Sequence, residues 1–264
     1  MIEVLKELND AFRDITYYDE PHMYTIKEHN ENMRSVTGLL SDFKEKFDAD
    51  FWAQRKADEE GISKEDKLEE WRVINKIATT KGTIVHNYIE NLLAQKIFPY
   101  PTEFVISEVG EENESIVREK VDSIIKLANK FVSDIAGKLL PIKSELVVGD
   151  LDLNVCGMVD QLFFNYKANE MQIWDWKTNK KLRMSNEYGK KLKGILSHLD
   201  ECEYTIYSLQ LSIYREIIKR KTNLDIGNTY IVWFFEDNDD YKVIECLDLS
   251  KESKLILDEL VIDK

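Results

Sequence analysis

The rhythm of apolar and polar positions changes near Pro141. Upstream, apolar residues recur at helical spacing. Residues 1–14 read as a short helix, and 15–26 alternate around Asp19-Glu20-Pro21-His22, the pattern of a hairpin. Ser35-Val36-Thr37 marks a helix entry, with Leu39, Leu40 and Phe43 as its apolar stripe. Charged amphipathic helices are expected over 51–59 and 64–78, with Gly61 breaking between them, and a further helix over 83–95 that ends before Pro99. The longest helix is expected over 113–137, burying Ile116, Val121, Ile124, Ile125, Leu127, Ala128 and Phe131.

Beyond Pro141 a period of two takes over. Strands are expected over 143–148, 153–164 and 171–177, followed by a helix over 203–221. An apolar strand over 230–235 and a last strand over 241–247 close the pattern, with the acidic run 237–240 as a hairpin turn. Helices, a three-stranded meander, a helix and further strands make a mixed α/β core with a helical N-terminal part. The expected division is an N-terminal lobe of hairpin and helices over 1–79 and a core over 80–264.

The 264 residues are 43% hydrophobic, enough for one sizeable core. The charged N-terminus does not read as a signal peptide, and the longest apolar stretch, 230–235, is far too short to span a bilayer. The expectation is a soluble cytoplasmic protein without a membrane partner. Cys156, Cys202 and Cys246 are odd in number and widely spaced, which argues against a disulfide framework or a four-cysteine metal site. The net charge of −14 disfavours indiscriminate nucleic-acid binding. One segment runs against it: residues 177–193 carry seven basic side chains (Lys177, Lys180, Lys181, Arg183, Lys190, Lys191 and Lys193) and one acidic, Glu187.

Met171-Gln172-Ile173-Trp174-Asp175-Trp176-Lys177 is the most informative stretch. On a strand Asp175 and Lys177 share a face, leaving Trp174 and Trp176 to pack on the other. A carboxylate beside an ammonium suits hydrolysis, one holding a hard cation and the other orienting water, yet Asp-x-Lys alone is common. Gly157-Met158-Val159-Asp160 adds a second carboxylate fifteen residues earlier, and a turn over 165–170 lays the two strands antiparallel. Two converging carboxylates repel unless a cation such as Mg²⁺ sits between them. Gly82, His86 and Glu90 fall on one helix face and offer an imidazole and a further carboxylate. Gln210 and Tyr214, one turn apart, could hold a phosphate or water, or merely pack.

The ordered set Gly82…His86, Gly157…Asp160, Asp175…Lys177 and Gln210…Tyr214 resembles the RecB-like branch of the PD-(D/E)XK nuclease superfamily. It spans about half the chain. Tyr18-Asp19, His22-x-Tyr24, Ser35-Val36-Thr37 and Asp175-Trp176-Lys177-Thr178 are similar, more narrowly, to phage exonucleases related to the mitochondrial genome maintenance exonuclease. The resemblance implies a twisted mixed sheet flanked by helices, a Mg²⁺ or Mn²⁺ requirement, and hydrolysis of DNA, often from a single-stranded end. It implies His86, Asp160 and Asp175 as metal ligands with the Trp176 backbone carbonyl, and Lys177 as the residue positioning or activating water. Glu145 matches an acidic position that some members use, and Glu90 is a further candidate. Gln210 and Tyr214 complete the implied catalytic set. Some members carry an iron–sulfur cluster; the three scattered cysteines do not match, so none is expected.

On this reading Lys180, Lys181, Arg183, Lys190, Lys191 and Lys193 bind DNA phosphates, with a steep salt dependence. Tyr17, Tyr18 and Tyr24 are candidates for stacking on unpaired bases. A recombination or replication protein is a conceivable partner, in phage or genome DNA processing. The alternatives are an endonuclease on the same core and a non-catalytic nucleic-acid-binding or host-interaction protein.

Overall fold

A computed structural model describes residues 2–18, 23–27 and 31–262. Helix α1 (Ile2–Phe12) leads into strands β1 (Ile15–Tyr18) and β2 (Met23–Ile26), an antiparallel pair joined by β3 (Glu31–Asn32). The turn expected at Asp19–His22, and with it His22, lies outside the described residues. Strand β4 (Arg34–Ser35) runs into α2 (Val36–Leu40), whose Ser35 cap accepts the Gly38 amide. Then come α3 (Ala49–Glu60), α4 (Lys64–Leu93), α5 (Thr102–Val109) and α6 (Glu111–Ile135). Strands β5 (Leu139–Asp150), β6 (Val155–Asn165) and β7 (Glu170–Lys177) form the expected meander. Helix α7 (Glu203–Lys221), β8 (Ile226–Trp233), β9 (Lys242–Glu245) and α8 (Ser250–Ile262) complete the chain.

The protein is a mixed α/β fold. Its large sheet has the order β4-β6-β7-β8-β9, with β5 on the other edge of β6. Strands β7 and β8 pair in parallel through the α7 crossover, and β4 pairs in parallel with β6. One face packs aliphatic side chains, including Ile173 and Val159, against α1, α2, α8 and α7, which contributes Leu209. The other packs Phe163, Trp174, Trp176 and Phe234 against Phe131 and Ile124 of α6 and Val85 and Ile89 of α4. The two tryptophans therefore occupy the face opposite Asp175 and Lys177, as alternation requires.

Several expectations are corrected. Gly61 does end α3, in the left-handed conformation at φ 71°, but no break follows Ala78. Helix α4 is continuous from Lys64 to Leu93 and crosses the 79/80 boundary. Thr79 and Thr83 do not interrupt it because their hydroxyls donate back to the carbonyls of Asn75 (3.0 Å) and Thr79 (3.2 Å). On α6 the buried position is Val117, whereas Ile116 is 42% exposed. Helices α5 and α8 and the parallel strand β4 were not anticipated. Strand β5 begins at Leu139 and carries Pro141, with a register irregularity just beyond it.

Candidate metal and catalytic centre

The site grows from a split in the sheet. Strand β6 pairs with β4 at residues 155–156 and with β7 at residues 161–165, which leaves 157–160 between the two ladders. That interval is Gly157-Met158-Val159-Asp160. Strand β7 continues past it, and the Trp176 amide donates to Asp160 Oδ2 at 2.7 Å in place of a backbone acceptor. A Cβ on Gly157 would lie 2.4 Å from the Tyr214 ring, so this glycine exists to seat Tyr214 against β6.

Helix α4 delivers His86 to the same place. Its Nε2 lies 3.1 Å from the Trp176 carbonyl oxygen and its Nδ1 3.5 Å from Asp160 Oδ2. Glu145 arrives from β5 with φ 48°, the left-handed region, in the middle of a strand. A non-glycine residue there costs about 1–2 kcal/mol, and such strain concentrates at functional sites. Among the described residues, His86, Glu145 and Asp160 form a group whose ligand atoms lie within 4.8 Å of one another. One imidazole and two carboxylates, with a peptide carbonyl alongside, suit a hard divalent ion such as Mg²⁺ or Mn²⁺.

Asp175 and Lys177 are brought together, but Asp175 does not join that group. Asp175 is 2% exposed. Its Oδ2 touches the Lys177 ammonium at 2.5 Å and is met by no aligned hydrogen-bond donor. Burial, with the Asp160 charge behind it, pushes the Asp175 carboxyl up to about 6 against the pull of Lys177 and His86. Burial also works to lower Lys177, but the Asp175 and Asp160 carboxylates outweigh it and its pKa lies above the ordinary lysine value. The Lys177 ammonium lies 4.4 Å from the centre of the Tyr207 ring. A buried carboxyl with a raised pKa thus stands against a half-buried ammonium that stays charged.

The remaining expectations divide. Gln210 donates to the Tyr214 hydroxyl at 3.0 Å, and both are buried. Burial drives Tyr214 above its ordinary value, against that hydrogen bond, so its proton stays in place. Glu90 is not in the ligand group. Tyr17 and Tyr24 face each other with ring centroids 4.9 Å apart, and Tyr24 packs with Ile15, Met33 and Cys156. The basic segment is partly neutralised at home: Arg183 pairs with Glu203, Lys190 with Glu45 and Lys191 with Asp200. Lys180, Lys181 and Lys193 are exposed.

Two features were missed. Tyr207 stands on the face of α7 that carries Gln210 and Tyr214, a spacing of three and seven residues that was readable. Lys81, only 5% exposed, donates to the Thr178 carbonyl at 2.9 Å and to Glu236 at 2.8 Å. It locks the chain just after Lys177 to α4; nothing local to Lys81 in the sequence points to Glu236.

No protein-family model matches this chain, and no curated protein does. Among solved structures it is similar to the crystal structure of SSO0001, at 13% identity and a TM-score of 0.25, over 70% of this chain and 87% of that one. So loose a superposition carries no weight for fold or function. Among the described residues no helix is long and apolar enough to cross a membrane.

Proposed function

We propose that this chain is a divalent-metal-dependent DNA nuclease of the RecB-like PD-(D/E)XK kind, acting on single-stranded DNA or DNA ends. The observation that carries the reading is the meeting of His86, Glu145 and Asp160 beside the buried Asp175 and its half-buried partner Lys177. Three consecutive strands and the remote helix α4 supply these groups, in the combination that phosphodiester hydrolysis needs.

His86, Glu145 and Asp160, with the Trp176 carbonyl, would hold Mg²⁺ or Mn²⁺, and Asp175 would complete the set on releasing its proton. Bound there, the ion lowers the pKa of a water and offsets charge on the reacting phosphate. Lys177 stays protonated because two carboxylates hold it so. It therefore acts as a donor that orients the attacking water or the phosphate oxygens, not as a general base. Asp175 fixes the ammonium's position, and Tyr207 packs beneath it. Gln210 donates to the Tyr214 hydroxyl and keeps the ring against Gly157, so the tyrosine keeps its own proton as a donor.

End-labelled single- and double-stranded DNA, linear and circular, incubated with Mg²⁺, Mn²⁺ or EDTA, tests this directly. Cleavage should require the metal, and Asp175→Asn and Lys177→Ala should each lower the rate by about 10³-fold or more without loss of fold. Full activity in both variants refutes the assignment. Cleavage of circular DNA would make the enzyme an endonuclease.

A further inference from the structure

A second concavity adjoins the catalytic strand. It has a volume of about 490 Å³ and lies between α4, α6 and the chain that leaves β7. Ile74, Ile77 and Ile116 form its apolar wall, and Lys81, Lys120, Lys180 and Glu236 supply its charge. It begins one residue past Lys177, at Thr178, and on α4 it ends at Lys81, five residues before His86.

Its composition is unusual for this molecule. Lys81 and Lys120 both donate to Glu236, at 2.8 and 2.7 Å. Burial would raise the Glu236 carboxyl, but the bonds from Lys120 and Lys81 hold it low and ionised. Lys180 is exposed and, among the described residues, pairs with no carboxylate. Three ammonium groups thus face one carboxylate, a positive surplus in a chain of net charge −14. Ile74 and Ile116 are 55% and 42% exposed, an apolar surface that the helices leave uncovered beside that charge. Asn179 lines the same cavity, and its Oδ1 is buried without a hydrogen-bond partner among the described residues.

We infer that this cavity binds a nucleoside monophosphate unit, free or as the end of a strand, with its base on the isoleucine wall and its phosphate at Lys180 and Lys120. The chemistry calls for one molecule with a flat apolar face, a hydrogen-bond donor for Asn179 and an anion. A nucleotide has all three, and the volume lies within the range of small-ligand sites. A simple fatty anion would leave the Asn179 acceptor unmet. The strand-end form of the inference rests on the nuclease reading; the free-nucleotide form does not.

Titration calorimetry on the full chain in EDTA tests it, with dTMP, thymidine and inorganic phosphate as probes. Binding of dTMP is expected, with thymidine and phosphate each weaker by about tenfold or more. Ile116→Asp and Lys180→Ala change exposed side chains, so both should fold, as their unfolding midpoints will show. Each should weaken dTMP by about tenfold or more. No binding of dTMP, equal binding of thymidine, or indifference to both substitutions overturns the inference. A short oligothymidylate with a terminal phosphate separates the sources: tighter than dTMP and equally sensitive to Ile116→Asp marks a strand end, weaker marks the free nucleotide. EDTA keeps the two readings apart. Nucleotide binding without cleavage in Mg²⁺ removes only the nuclease reading, and cleavage without nucleotide binding removes only the pocket.

Discussion

Asp175 is a carboxyl whose burial and whose neighbour Asp160 oppose its ionisation, so its pKa stands at about 6 where 3.8 is ordinary. The folded form thus holds this proton more tightly than the unfolded chain. Its contribution to stability is full below about pH 4 and is lost as pH rises through about 6, a swing on the order of 3 kcal/mol. On the proposed reading, a cation bound beside Asp175 would reverse that loss. Thermal melts with and without Mn²⁺ should therefore show a larger gain at pH 7.5 than at pH 5, and equal gains would count against a metal beside Asp175. Glu145 offers a complementary test. Glu145→Gly should relieve the left-handed strain and leave the melting temperature of the metal-free protein unchanged or higher, while Mn²⁺ affinity falls by about tenfold or more. Gly157→Ala should do the opposite of relieve: its methyl meets the Tyr214 ring, and denaturant melts should show a loss of about 1–3 kcal/mol.

At the scale of elements, α4 matters most, because one helix carries the pocket wall at Ile74, the lock at Lys81 and the imidazole at His86. Lys81→Met removes a buried ammonium that ties α4 to Thr178 and Glu236, and should cost about 3 kcal/mol in urea unfolding, with Lys120 left to neutralise Glu236. A loss under about 0.5 kcal/mol, the size of a surface change, would show that the lock is weak. The sequence made α7 and the β5–β7 meander legible because their apolar periods are strong and local. It did not reveal the continuity of α4, since the β-branched pair Thr79-Thr80 lies between the two apolar-periodic runs. Ile116 looked like core for a related reason: hydrophobic spacing marks a face of α6 without saying whether another element covers it. Strand β4 has only two residues and its partner lies at 155–156, beyond the reach of any local pattern.

For the molecule as a whole, charge is the informative quantity. Counted along the chain, the basic segment promised steep electrostatic binding; in the fold, Arg183, Lys190 and Lys191 already face carboxylates. With Lys180, Lys181 and Lys193 left as exposed cations, the slope of log affinity against log salt for a single strand should be about −2, where six phosphate contacts would give roughly −4. Anisotropy titrations across a range of NaCl concentrations measure it. The candidate residues His86, Asp160, Asp175 and Lys177 were legible because their chemistry is written in side-chain type and spacing. Their neutralised neighbours were not, because ion pairs form between residues that only folding brings together.

The parallel pairing of β7 with β8 bears on how the molecule comes into being. Asp175 lies opposite Ile231 in that pairing, so β7 remains an open edge until the chain has been made through β8 and α7 has crossed over. A ribosome-bound chain ending near residue 200 already contains His86, Glu145, Asp160, Asp175 and Lys177, yet lacks the strand that seats the last two. Synthesis order alone thus delays the seating of Asp175 and Lys177 against β8 until most of the C-terminal third has emerged.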